Sequence, residues 1–359
     1  MPDSSESGSI DTALETRLIR VPREQESFDA FCREHHWSDG FPLVSPTPDR
    51  VERMLRGTRR GRQEVIAAIP PSFAAATIER IAANAVMAGC APSFLPVLIA
   101  AVEATCDSAF NLQGVQTTTN PATAWIIVNG PIAGVLGINA GVNCLGQGAW
   151  PNATIGRALR LVLQNLGGAV PGTMDRATQG QPGKYSFCCA ENEAANPWEP
   201  LHVERGHAAG ASTVTLAAVA GTLNLNSHSK NADDLLRVFA DTLAHPTSND
   251  YWYAGAPFVV LAPEHAEVLH RAGLSKADVK RRLWEESRLH ASRLSAKDYT
   301  RPEHARVELA PMTPDTLIPI TTDPAGIAII VAGGPGTHSA YVPGFGNSRP
   351  VTRPVEVSA

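Results

Sequence analysis

The sequence predicts an α/β fold, with a mixed or mostly parallel sheet flanked by helices and two tightly packed subdomains. Two observations carry this. Short apolar, β-branched runs alternate with stretches of helical period along the chain, and Gly-rich segments follow the runs, as loops do at strand ends. The expected division is a leader over 1–22, an α/β domain over 23–210 and a second α/β subdomain over 211–359.

The elements follow in order. The first 22 residues are polar, rich in Ser and charge, and lack apolar periodicity, so they are read as a disordered leader. Helical patterns cover Glu26 to Glu34 and Pro48 to Arg56, and Val65 to Ile69 is strand-like, stopped by Pro70 and Pro71. Ile78, Ile81, Ala82, Ala85 and Val86 recur at helical spacing, and Phe94 to Thr105 repeats the pattern after Gly89-Cys90-Ala91-Pro92. Phe110 to Thr117 and Ala124 to Val128 are rich in aromatic and β-branched residues, the second reading as a buried strand. Gly134 to Gly148 is Gly-rich and leads to Asn152, a residue suited to capping a helix that runs to about Asn165. Strands are expected at Ser212 to Val219, Phe258 to Leu261 and Ile327 to Ala332, and helices at Ala232 to Leu243, Glu264 to Ala272 and Lys276 to Arg288.

Composition limits the function. The chain has 359 residues, 43% hydrophobic and 18% charged, below the roughly 25% charged share of average soluble proteins. That excludes a disordered chain. Lys and Arg number 30 against 35 Asp and Glu, for a net charge of -5, without a basic block that would track phosphates, so nucleic acid is not an expected partner. The N-terminus lacks the basic start and apolar run of a secretory signal, and no apolar run reaches the roughly 20 residues of a membrane span. A cytoplasmic protein without a membrane partner is expected. Six scattered cysteines without a CxxC pair read as reduced thiols. The prevalence of symmetric assemblies favours a homodimer.

The chemistry-bearing residues lie in several separate segments. Cys90 precedes a helix whose first turn holds Pro92; a thiol at a helix N-terminus has its pKa lowered, so Cys90 is the expected thiolate. Cys144, in the Gly-rich loop, offers a second thiol. Lys184 to Glu204 gathers Cys188, Cys189, Glu191, Glu193 and His202; a Glu with His202 suits proton transfer. Cys188 and Cys189 point to opposite faces if the segment is extended. Asn129, Asn152, Arg157, Gly333, Gly334 and His338 are the expected substrate-binding residues, with Arg157 and Arg160 spaced to clamp an anion from one helix face. Asp39 in the Trp37 to Pro42 turn is a further site candidate. Neither Gly-rich patch matches GxGxxG or the Walker A spacing, and no motif requires a cofactor.

The strings from Asn84 to Cys90, Asn129 to Pro131, Asn152 to Arg157, and Cys189 to Glu193 followed by Pro197 to His202 resemble the UGSC-type thiol or selenoprotein-like oxidoreductases over roughly residues 37 to 290. The resemblance implies thiol chemistry at Cys90, with the Glu191 to His202 segment shaping the site. This sequence departs from the pattern in having no Cys-Gly-Ser-Cys string.

The expected function is therefore a small-molecule enzyme in which Cys90 is a thiolate, in redox exchange or as a nucleophile, and Glu191, Glu193 or His202 moves protons. Two alternatives stay open. One is a metal-dependent hydrolase or lyase with Cys90, Cys189 and His202 on one ion. The other is a non-enzymatic protein that holds an anionic ligand.

Overall fold

Successive side chains of a strand point to opposite faces, and most strands here are apolar on both, so each sheet must be covered twice. The computed structural model describes residues 18–356. It holds two four-stranded mixed sheets packed face to face, with helices outside each, an αββα sandwich. The expected leader lies almost wholly outside the described residues.

The first sheet runs Val351–Pro354, Thr213–Val219, Thr123–Asn129, Cys188–Ala190. Only its last pair is parallel, with Val128 opposite Ala190. Ile126, Val128, Cys188, Val214 and Leu216 face the outer helices, among them Ile78–Ala88, Leu95–Thr105 and Trp150–Asn165. The second sheet runs Ala328–Val331, Phe258–Leu261, His338–Val342, Leu223–Asn226, the first pair parallel. Val259, Leu261, Ile329 and Tyr341 face Ala232–Leu243, Pro263–Arg271 and Lys276–Glu286. Between the sheets lie Trp125, Ile127, Cys189, Ala217 and Val219 against Phe258, Val260, Ala328 and Ile330. Trp125 stacks on Phe187 at 5.2 Å and meets Phe258 edge-on at 5.3 Å, tying the layers together.

The α/β class, the buried strands and most helices are as the sequence predicts, with three differences. A boundary at 210 does not separate the sheets, because Thr213–Val219 and Val351–Pro354 belong to the first. Leu112–Thr117 is a helix: Asn111 accepts from the Gly114 N–H and Asp107 from the Ala109 N–H, caps that outweigh β-branched composition. The helix ending at Asn165 starts at Trp150, with Asn152 inside it. Among the described residues no single helix is long and apolar enough to cross a membrane.

One buried carboxyl makes the second unit sensitive to pH. Asp250 accepts hydrogen bonds from Tyr341 Oη at 2.6 Å, Ser248 Oγ at 3.1 Å and the Gly344 N–H at 3.1 Å. Burial nevertheless raises it from the ordinary 3.8 to about 7. The folded state thus holds a proton that the unfolded chain gives up, and this group's contribution is lost as pH rises from about 4 to about 7. A full proton corresponds to a slope of about 1.4 kcal/mol per pH unit. Denaturant titrations across that window should show stability from this group falling with pH, and Asp250→Asn should remove that component; identical slopes in the two proteins would refute it.

Candidate functional site

The carboxyl ends of the parallel strands carry the densest polar group. Asn129 ends its strand two residues beyond Ile127, and Glu191 follows Cys189 by two, so both fall on the side between the sheets, where the apolar layer stops. Asn129 Nδ2 donates to Glu191 Oε2 at 2.6 Å and to Glu193 Oε1 at 2.9 Å. Glu193 Oε1 also accepts from the Gly130 N–H at 2.7 Å. Gly130 has φ +80, and a Cβ there would lie 2.1 Å from the Ala211 carbonyl oxygen, so this close approach requires glycine.

Glu191 and Glu193 differ in what surrounds them. Glu191 is buried and both its oxygens accept hydrogen bonds: Oε1 from Asn196 Nδ2 at 2.8 Å, and Oε2 from Asn129 and the Leu201 N–H, the latter at 2.8 Å. Burial raises its pKa, and those donors together with Lys276 oppose the rise. Glu191 is a strut that positions Asn129 and the short helix Leu201–Glu204. Glu193 is 30% exposed and open to a ligand.

His202 comes from that helix and is fully buried. Its Nε2 lies 3.3 Å from the Ala209 carbonyl, which only accepts, so Nε2 carries the hydrogen. Its Nδ1 has no hydrogen-bond partner and lies 3.7 Å from Glu193 Oε1. Asn129 Oδ1 is likewise buried without a partner. Four residues chosen from the sequence, Asn129, Glu191, Glu193 and His202, are thus brought together. Asn196, which fixes Glu191, was not singled out; its signal is the turn chemistry of Asn-Pro before Trp198.

The segment is bolted to the second unit. Asn192 N–H donates to Val331 O at 2.7 Å, and Trp198 Nε1 to Leu274 O at 3.0 Å. Glu204 holds Lys276 at 2.9 Å and also bonds Lys280; burial alone would raise this carboxyl, but the two ammonium groups keep it below its usual range.

Other expected residues have different roles. Cys90 follows Gly89, the left-handed cap of Ile78–Ala88, and its N–H bonds Ala85 O, so it sits at the carboxyl end of one helix. A 3₁₀ turn, Pro92–Phe94, separates it from the next helix. Its thiol donates to Thr154 O at 3.3 Å, and burial pushes it up to about 12. The expectation of a thiolate at Cys90 is therefore corrected. Cys90 should alkylate more slowly than a free thiol, and Cys90→Ser should leave turnover unchanged; rapid labelling at neutral pH would contradict this.

Asn152 is buried within its helix, where its side chain orders the Gly-rich loop: Oδ1 accepts from the Asn139 N–H at 2.8 Å, and Nδ2 donates to Asn139 O at 3.0 Å and Cys144 O at 3.1 Å. Arg157 spends its fork on Asp39, at 2.6 and 2.9 Å, and on Pro42 O. The Arg160 Nε is buried and unpaired while Arg157 is committed to Asp39, so the two arginines form no clamp. Gly333 donates its N–H to Ala140 O at 2.8 Å, and a Cβ at Gly334 would lie 2.3 Å from Val142, so these glycines admit the Gly-rich loop. His338 is exposed and turns to Asn224 and His228.

The metal set is also corrected. Cys90 packs on the helix side of the first sheet and Cys189 between the sheets, so Cys90, Cys189 and His202 do not converge. Among the described residues no group of three or more His, Cys, Asp or Glu is arranged to hold a metal. Comparison with protein-family models, curated proteins and solved structures finds no match.

Proposed function

We propose that this chain is an enzyme acting on a small molecule, with Glu193 and His202 moving a proton at the carboxyl ends of the parallel strands. The observation that carries the reading is the unpaired His202 Nδ1 facing the partly exposed Glu193 at 3.7 Å, with Glu193 held by Asn129 and the helix that carries His202 held by Glu191 through the Leu201 N–H. Buried polar atoms are normally paired, and a positioned base beside a carboxylate is the arrangement that proton transfer needs. The cluster offers acceptors and negative charge, which suits a substrate bearing N–H or O–H donors more than an anion.

The test is an incubation of the purified chain with a small-molecule cell extract, followed by mass spectrometry. The wild type should deplete a donor-bearing compound that Glu193→Gln and His202→Asn leave standing. Equal depletion by all three proteins would overturn the reading.

A further inference from the structure

Two thiols meet behind the proton-transfer group. Cys189 points between the sheets two residues before Glu191, and Cys144 sits on the Gly-rich loop that packs over it; both line the inter-sheet apolar layer. The two thiols share that layer, and each acts directly on the ionisation of the other. The loop is fixed at three points around the pair, by Asn152 to Cys144 O, by the Gly333 N–H to Ala140 O, and by the Ala190 N–H to Asn139 O at 3.2 Å. Cys189 is fully buried, whereas Cys144 is 6% exposed on a loop whose neighbours Val142 and Leu145 face solvent. Cys188 points to the opposite, helix-covered side and takes no part.

We propose that Cys144 and Cys189 form a redox-active dithiol that low-molecular-weight disulfides oxidise, Cys144 attacking and Cys189 resolving. Its role beside Glu193 rests on the proposed enzyme function, whereas the oxidation itself does not. Cys144, as thiolate, attacks one sulfur of R–S–S–R; the S–S bond breaks and one thiolate leaves, giving a mixed disulfide on Cys144. Cys189 then loses its proton, attacks Cys144 Sγ and expels the second thiolate. The protein loses two electrons and the disulfide gains them, while the two protons lost by the cysteines end on the two released thiols.

Local chemistry fits this division. The adjoining Cys189 thiol, with backbone N–H groups of the loop, holds the Cys144 thiol below its ordinary range despite burial. The neighbouring Cys144 thiol, with burial, raises Cys189. Cys144, the less deeply buried of the two, is thus the thiol prepared to attack.

The reduced full chain is titrated with bis(2-hydroxyethyl) disulfide and mapped by non-reducing peptide mass spectrometry. The expected product joins the peptides of Cys144 and Cys189, reversibly with dithiothreitol. Cys189→Ala should instead accumulate the mixed disulfide on Cys144, and in the wild type iodoacetamide should label Cys144 about tenfold or more faster than Cys90. A Cys144 that stays free, or a link through Cys90 or Cys188, overturns the proposal. An inert pair in a protein whose depletion still requires Glu193 sinks the dithiol alone; a linked pair with depletion indifferent to Glu193 sinks the proton-transfer reading alone.

Discussion

Glu193→Gln should lower turnover by about 10²–10⁴-fold, the usual contribution of a positioned acid or base, with the fold intact. The amide keeps the Oε1 acceptor that Asn129 Nδ2 and the Gly130 N–H require, and its new NH₂ can take the place of the oxygen that holds none of these bonds. What disappears is the charge facing His202 Nδ1 and the ability to take a proton. Glu191→Gln is the informative contrast. Both oxygens of Glu191 accept hydrogen bonds, so an amide there puts a donor against a donor. It should cost about 1–3 kcal/mol of stability, seen as an earlier denaturant midpoint. If Glu193→Gln retained full turnover while Glu191→Gln abolished it in a stably folded protein, the roles of strut and proton carrier would be reversed.

Glu204→Gln should destabilise the chain by about 1–3 kcal/mol, because it leaves two buried ammonium groups without their partly exposed carboxylate. Lys276 and Lys280 side chains are 2% and 8% exposed and share this one carboxylate. The Glu199 carbonyl, 2.7 Å from Lys276 Nζ, remains but is neutral. The effect should reach the site, since Glu204 closes the helix that begins at Leu201 and carries His202. Replacing the triad together, Glu204→Gln with Lys276→Met and Lys280→Met, should recover part of the loss, as apolar replacements of buried ion clusters do. A single variant as stable as the wild type in denaturant would show that the triad is solvated.

Much of this arrangement is legible in the sequence, and the exceptions have physical causes. Continuous apolar runs such as Thr123–Asn129 mark strands covered on both sides, and the side-to-side alternation of Cys188 and Cys189 follows from strand geometry alone. The grouping of Glu191, Glu193 and His202 was readable because one segment holds them. Its convergence with Asn129 was less so, since it depends on the parallel pairing of Thr123–Asn129 with a strand of three residues that periodicity hardly registers. Cys90 resembles a helix-start thiolate as long as only the helix that follows it is visible, as in the sequence. Gly89 is a left-handed cap, so the thiol meets the carbonyl end of the preceding helix as well, and burial then dominates. Arg157 looked like a ligand clamp because nothing local shows that Asp39, far along the chain, takes its fork.

A crystal structure of Glu193→Gln grown with the compound that the wild type depletes would locate the site. The compound should lie between residue 193 and the Gly-rich loop, with a donor group directed at residue 193 and within reach of His202. A compound seated elsewhere, for example in the groove between Ser108, Arg306 and Arg349, would contradict a site at the carboxyl ends of the parallel strands.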